Sequence, residues 1–330
     1  MKRIVCALLL MGLLVSGCSS RTEDDVDSSS VENKFEEENN VGDVIKESQG
    51  AISYGFLDER TDVYTYDGSE VEIPYYMENL GEESEADAKV GLMLFVNGNI
   101  QDFHIAGGQP KPIEKVVLKP GERKEFTMCF KPVSGKKGEK IGVIPVTIWN
   151  PDSLPKEDNP IWGNNQELGA NVPLEIDMKE DGENKLVGTE EGVSASDIPE
   201  EVLEEYKSTY VGDVYDSLDA SVNFKIDTGE DGKAVLYAKN GKVDLRLHLF
   251  GGKNVRDRIT VFINNNPVKI GDKDYIEVNT KKGKMLTVDV KIDVSEYDRN
   301  NSLYAIAMTT GADYKVDDVY KTKSMLLINE

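Results

Sequence analysis

Apolar residues recur at every second position in six separate runs between residues 51 and 178, and this alternation constrains the chain more than any other feature. Ile52, Tyr54 and Phe56 alternate; so do Val71, Ile73, Tyr75 and Met77; then Leu92, Leu94 and Val96; then Phe126, Met128 and Phe130; then Ile144, Val146 and Ile148; then Val172, Leu174 and Ile176. Period two turns one face of a strand to a core and the other to water. With Gly, Pro, Asn and Asp between the runs, the pattern predicts an antiparallel β-sandwich. Asn97 and Gly98 after Phe95 and Val96 predict a type I′ hairpin turn, since both central positions of that turn want positive φ. Pro120 and Gly121 predict another turn. Pro145 interrupts its run without breaking the alternation, so that strand should lie at an edge there or hold the ring away from the ladder.

The pattern then returns. Val222, Phe224 and Ile226 repeat Ile52, Tyr54 and Phe56 at an offset of 170, and Val243, Leu245, Leu247 and Leu249 repeat Val71 to Met77 at 172. Phe262 to Asn266 answers Phe95 to Asn99. One offset of 160 carries Leu118 to Val278, Phe126 to Leu286, Phe130 to Val290, and Ile144, Val146 and Ile148 to Tyr304, Ile306 and Met308. Met325 to Ile328 closes the second copy as Leu174 to Ile176 closes the first. Two copies of one sandwich, diverged by loop insertion, account for offsets that change only between strands. Alternation places Thr127, Cys129 and Lys131 on the outer face, with Thr287, Asp289 and Lys291 as their counterparts, so Cys129 is expected near the surface.

Between the copies, residues 179–218 read as a linker. Asp197 as N-cap, an early Pro199 and Glu200 predict a short helix from Ile198 to about Lys207, with Val202, Leu203 and Tyr206 as its packed face.

The first residues are of another kind. Lys2 and Arg3 precede an apolar run from Ile4 to Leu14, followed by the small residues Ser16 and Gly17 and by Cys18. The run is too short to span a bilayer, and its order is that of a secretory signal. It resembles the lipobox of bacterial lipoprotein precursors, which implies cleavage before Cys18 and a diacylated thiol that anchors the chain extracytoplasmically without crossing the membrane. Residues 1–17 are thus expected as signal peptide. Residues 18–50, rich in Asp, Glu and Ser with Phe35 as the one aromatic residue, bury too little apolar surface to fold. They read as an acidic tether of roughly 30 Å typical reach.

Composition narrows function. A formal charge of -23 disfavours nucleic acid and anionic membrane surfaces. With Cys6 in the signal and Cys18 lipidated, Cys129 has no disulfide partner. His104 and His248 lie far apart without ligand-spaced neighbours, so no metal or other cofactor is expected. Asp227, Asp231 and Gly232 lack the ligands of a calcium loop, and Asp152, Glu157, Asp158, Asn159, Asp272 and Asp274 read as solvated loop acids. No nucleophile elbow, zinc-protease helix or phosphate loop occurs.

The strand pattern resembles the immunoglobulin-like sandwiches of bacterial surface proteins. The expectation is an all-β chain with a first sandwich at 51–178, the linker, and a second at 219–330. It would act as a non-catalytic binding or scaffolding module whose partner is an envelope protein or glycan. The alternative is a carbohydrate-binding surface protein. Trp149 and Trp162 flank a loop stiffened by Pro151, Pro155 and Pro160, and such paired rings suit a sugar or a protein partner. An envelope enzyme, or a transporter's binding protein with alternating strands and helices, fits less well.

Overall fold

A computed structural model describes residues 51–57, 63–82, 86–207, 213–227, 234–252, 254–310 and 319–329. The segments expected as signal peptide and tether, with Cys18, lie outside the described residues, as do Asp231 and Gly232. The chain is all-β, two immunoglobulin-like antiparallel sandwiches in tandem. The first half runs β1 (Ile52–Phe56), β2 (Val63–Tyr66), β3 (Val71–Asn79), β4 (Ala88–Val96), β5 (Asn99–Gln101), β6 (His104–Ile105), β7 (Ile113–Leu118), β8 (Arg123–Phe130), β9 (Lys140–Trp149), β10 (Leu168–Ala170) and β11 (Leu174–Met178). One sheet has the order β1-β3-β8-β6; the other is β2-β11-β9-β4-β5, with β7 on β4 and β10 on β9. Their inward faces enclose Ile73, Tyr75, Met77, Leu92, Leu94, Met128 and Phe130.

The second half repeats this plan. It runs β12 (Gly188–Thr189), β13 (Val193–Asp197), α1 (Glu200–Lys207), α2 (Val214–Leu218), β14 (Val222–Ile226), β15 (Val235–Ala238), β16 (Lys242–Gly251), β17 (Arg256–Ile263), β18 (Asn266–Val268), β19 (Tyr275–Asn279), β20 (Lys284–Asp293), β21 (Asn300–Thr309), β22 (Val319–Lys321) and β23 (Met325–Asn329). Sheet orders are β13-β20-β16-β14 and β12-β19-β17-β21-β23-β15. Strand pairing bears the duplication out. Tyr54 faces Met77 as Phe224 faces Leu249, Phe95 faces Ile144 as Phe262 faces Tyr304, and the parallel pair Met178 and Tyr66 recurs as Asn329 and Ala238.

One offset needs correction. Ile73 faces Met128, whereas its counterpart Leu245 faces Val290, so β8 maps onto β20 at 162, while 160 holds for β9 and β21. A two-residue difference keeps each side chain on its face. Cys129, opposite Glu72, thus corresponds to Lys291, which pairs with Asp244 at 3.1 Å. The turn at Asn97 (φ 50°) and Gly98 (φ 79°) is as expected, and Asn264 and Asn265 (φ 50° and 65°) repeat it.

The halves, both within Ile45–Glu330, are joined face to face. Met93 and Phe95 of β4, Ile113 of β7, and Ile144, Val146 and Ile148 of β9 pack against Phe262 of β17 and Tyr304, Ile306 and Met308 of β21. Phe262 stacks on Tyr304 at 5.2 Å between centroids and meets Phe95 edge-on at 6.4 Å. Ile144, Val146 and Ile148, which alternation presented as a sandwich core, therefore belong to this seam, and Ile141 and Val143 fill the sandwich instead. A strand buried on both faces is apolar throughout, so alternation cannot say which face is which.

Pro145 sits in the middle of β9, opposite Leu94. Its carbonyl accepts from Asn171, on the side where the neighbour changes from β11 to β10. The absent N–H thus falls where no ladder bond is needed. In the second half Ala305 stands there, and its N–H donates to Thr322 Oγ1 at 3.0 Å.

The stretch 179–218 is more than a linker. Val193–Asp197 pairs antiparallel with β20 along its whole length, and Gly188–Thr189 runs parallel to β19. Asp197 ends a strand, its carboxylate on Lys284, instead of capping a helix. The helix starts later and turns Val202, Leu203 and Tyr206 onto Phe250 and Met285, on the outer face of the second sandwich. These expected contacts are present; the strand before them is faint in sequence, because only Val193 and the small Ala195 alternate with serine and all but Val193 are exposed.

Candidate functional site

The loop between Trp149 and Trp162 is tied to the second half. Gln166, 1% exposed and at positive φ, donates through Nε2 to the carbonyls of Pro151 and Ser153 at 3.1 and 3.2 Å. Pro151 O also accepts from Asn265 Nδ2 at 2.6 Å, and Asn265 Oδ1 accepts from the buried Tyr304 hydroxyl at 3.0 Å. Glu157 pairs with Arg299 at 3.2 Å. The prolines stiffen a strut across the seam.

Under this strut, at the rim of the seam, lies a cavity of about 600 Å³. Pro160, Trp162, Gln166, Glu167 and Leu168 form one wall, and Ala234, Val319, Lys321, Thr322, Lys323 and Ser324 the other. Lys321 Nζ donates to Thr322 O at 3.1 Å and Ser324 Oγ at 2.8 Å, and lies 4.5 Å from the Tyr304 ring centroid. Burial pushes its amine down to about 7, against the pull of Glu167, because a desolvated ammonium is costly. Two buried polar atoms in the wall have no protein partner, Trp162 Nε1 and Gln166 Oε1. Ile161, beside the wall, is 70% exposed.

The two tryptophans part company here. Both are half-buried; Trp162 lines the cavity and Trp149 does not. Lys321, Gln166 and Ser324 were not singled out in the sequence. A signal for Lys321 existed in the repeat: pairing aligns it with Ala170, since Lys321 faces Ile306 as Ala170 faces Val146. A lysine stands where the first half has a small apolar residue against the seam.

Other candidates resolve into structural pairs. Asp152 bonds Lys115, Asp272 bonds Lys273 and Asp274 bonds Lys269. Among the described residues, no three His, Cys, Asp or Glu side chains gather as a metal site. His104 pairs with Glu70 at 3.2 Å, and that bond raises its pKa. Cys129 is on the outer face as expected, opposite Glu72 and His104. It is nevertheless 6% exposed, not open to solvent.

No protein-family model matches the chain, and no curated protein does. Among solved structures it is similar to the CsuC-CsuE chaperone and tip adhesion subunit pre-assembly complex of Acinetobacter baumannii, with 12% identity over 73% of this chain and 89% of that one, at a TM-score of 0.21. It is similar to the Salmonella enterica SafA pilin in complex with the SafB chaperone, with 7% identity over 84% and 96% and a TM-score of 0.23. The E. coli chaperone DraB matches at 9% identity over 85% and 97%, with a TM-score of 0.24.

Proposed function

We propose that this chain is an extracytoplasmic lipoprotein, held to the membrane by acylated Cys18, whose joined sandwiches form a non-catalytic binding or scaffolding module for an envelope protein or glycan. The order of Lys2, Arg3, the apolar run, Ser16, Gly17 and Cys18 supports the anchor. The observation that carries the binding role is the rim cavity, to which both halves contribute walls beneath the strut at residues 150–161. A site assembled from two domains that are already packed is rigid before its ligand arrives, which lowers the entropy cost of binding. The second reading is a carbohydrate-binding surface protein that uses Trp149 and Trp162. Both rings are half-buried, and Trp162 lines the rim cavity.

Two measurements test this. Intact mass of the mature protein is expected to find an acylated Cys18 at its N-terminus, with Cys18→Ser left unprocessed. A mature form beginning elsewhere rejects the anchor. The full chain in detergent, immobilised and exposed to solubilised envelope fractions and a glycan array, is expected to retain a defined component; retention of nothing rejects the module.

A further inference from the structure

We propose that the edge of β8 from Arg123 to Thr127 takes an antiparallel strand from a partner protein, an extended segment with an apolar residue opposite Phe126 and basic residues opposite Glu125 and Glu122. This deepens the binding-module reading and rests on it.

The internal repeat reveals the edge. β20 is paired on both sides, with β16 on one and β13 on the other. β13 covers Lys284 to Val288, and at the offset of 162 these residues correspond to Glu122 to Phe126. Among the described residues, Arg123 to Thr127 pairs with β3 alone, because β6 reaches only Cys129 and Met128. Exposure follows pairing. Met285, Leu286 and Val288 are buried, whereas Arg123 and Lys124 are exposed and Phe126 is half-buried at the rim of its core. The first sandwich leaves open a place that the second fills with its own chain.

The backbone there is turned to pair. Asp289 N donates to Gly192 O, so the groups of β20 directed away from β16 belong to Met285, Thr287 and Asp289, the period-two set. Their counterparts in β8 are Arg123, Glu125 and Thr127. An unpaired row of N–H and C=O groups is a template for another strand.

β13 shows what chemistry fits and where it must change. Val193, opposite Val288, packs on the second core, and a residue in that position of an occupant covers Phe126. Ala195 lies opposite Leu286, where the first half has Lys124, whose Nζ donates to Val117 O at 2.7 Å. A small residue fits there, while a large apolar one strips water from the ammonium, which guards the edge against indiscriminate pairing. Asp197 bonds Lys284, but Glu122 stands in the place of Lys284, and Glu125 in that of the neutral Thr287. The charge called for is thus reversed, with basic residues where β13 carries Ser194 and Asp197. A formal charge of -23 favours the approach of such a cationic segment.

Two labelled peptides spanning residues 192–199 test this against the full chain in detergent by fluorescence anisotropy, one with the native sequence and one carrying Ser194→Lys and Asp197→Lys. The lysine peptide is expected to bind about tenfold or more tighter, since each ion pair across an exposed edge contributes a few-fold. In the protein, Glu125→Pro removes one outward N–H and spares the bonds to β3, so it should abolish binding with little change in melting temperature. Glu122→Gln together with Glu125→Gln should erase the preference for lysine. No binding of the lysine peptide, equal binding of both, binding that survives Glu125→Pro, or a preference unchanged in the double glutamine variant overturns the assignment. Sedimentation of the chain decides the other occupant: a dimer that Glu125→Pro dissociates assigns the edge to a second copy and overturns the basic partner. If the edge assignment falls while the chain still retains an envelope component, the module reading stands.

Discussion

Lys321 is charged at neutral pH in almost any protein environment, and here its surroundings take much of that charge away. Its amine sits near 7 when folded against 10.5 when free, so between these values the unfolded chain binds more protons and stability rises with pH. At full slope the rise is about 1.4 kcal/mol per pH unit; below pH 7 both states hold the proton and the slope disappears. Above pH 10 the buried Tyr304, whose pKa is raised by desolvation, acts in the opposite sense. Urea titrations at pH 7.5 and 9.5 should therefore show a rise in the native protein that Lys321→Met lacks, and equal slopes in the two would reject a buried, partly neutral Lys321. Cys129 is a second residue whose surroundings override a simple rule. Burial, then Glu72 and Glu70, raise its thiol pKa, and Sγ donates to Thr127 O at 3.8 Å. The folded protein should resist a bulky maleimide and react only on unfolding. Cys129→Ser is expected to cost about 1–2 kcal/mol, because a more polar group enters a covered site. Rapid labelling of the native protein would place the thiol in the open instead.

At the scale of elements, what was legible and what was not divides along burial. Strands with one wet face, such as β3 and β16, print their register directly, and Val71 to Met77 or Val243 to Leu249 face inward as period two requires. β4 and β9 are wet on neither face, so Met93, Phe95, Ile144, Val146 and Ile148 conveyed strand but not which layer they fill. Of the site, Trp162 could be found because a tryptophan in a proline-rich loop stands out, whereas Lys321 in a stretch of polar residues does not. β13 was hidden for a third reason: an edge strand held by backbone pairing needs no apolar pattern. Its role yields a test. A second half begun at residue 219 lacks β12, β13, α1 and α2, leaving Phe250 and Met285 uncovered, whereas one begun at residue 186 keeps them. The longer form should be markedly more stable in urea. Within it, Leu203→Ala should cost about 2–3 kcal/mol as the helix loses its buried anchor. Equal midpoints for the two forms would mean that the segment before residue 219 is a spacer after all.

For the whole molecule, the seam decides whether two domains behave as two. Each half carries a complete strand set with its own core, so an isolated fragment of residues 51–178 should give a β-type circular dichroism spectrum. That fragment would also expose Met93, Phe95, Ile144, Val146 and Ile148 side by side, and an uncovered apolar face of that kind drives association. It should therefore run as a dimer or larger species in light scattering, and adding the 186–330 fragment should convert it to a one-to-one complex. The intact chain adds a thermodynamic consequence. Phe262 touches Tyr304 on one side and Phe95 of the other half on the other, so Phe262→Ala should cost about 3–5 kcal/mol. It should do so through one unfolding transition in which both halves move together, because neither retains its partner's cover once the seam loosens. A monomeric, soluble first half, or two separate transitions with only the second shifted by Phe262→Ala, would mean that the seam is a contact between independent domains and that the rim cavity lacks the rigid frame on which the proposed binding role rests.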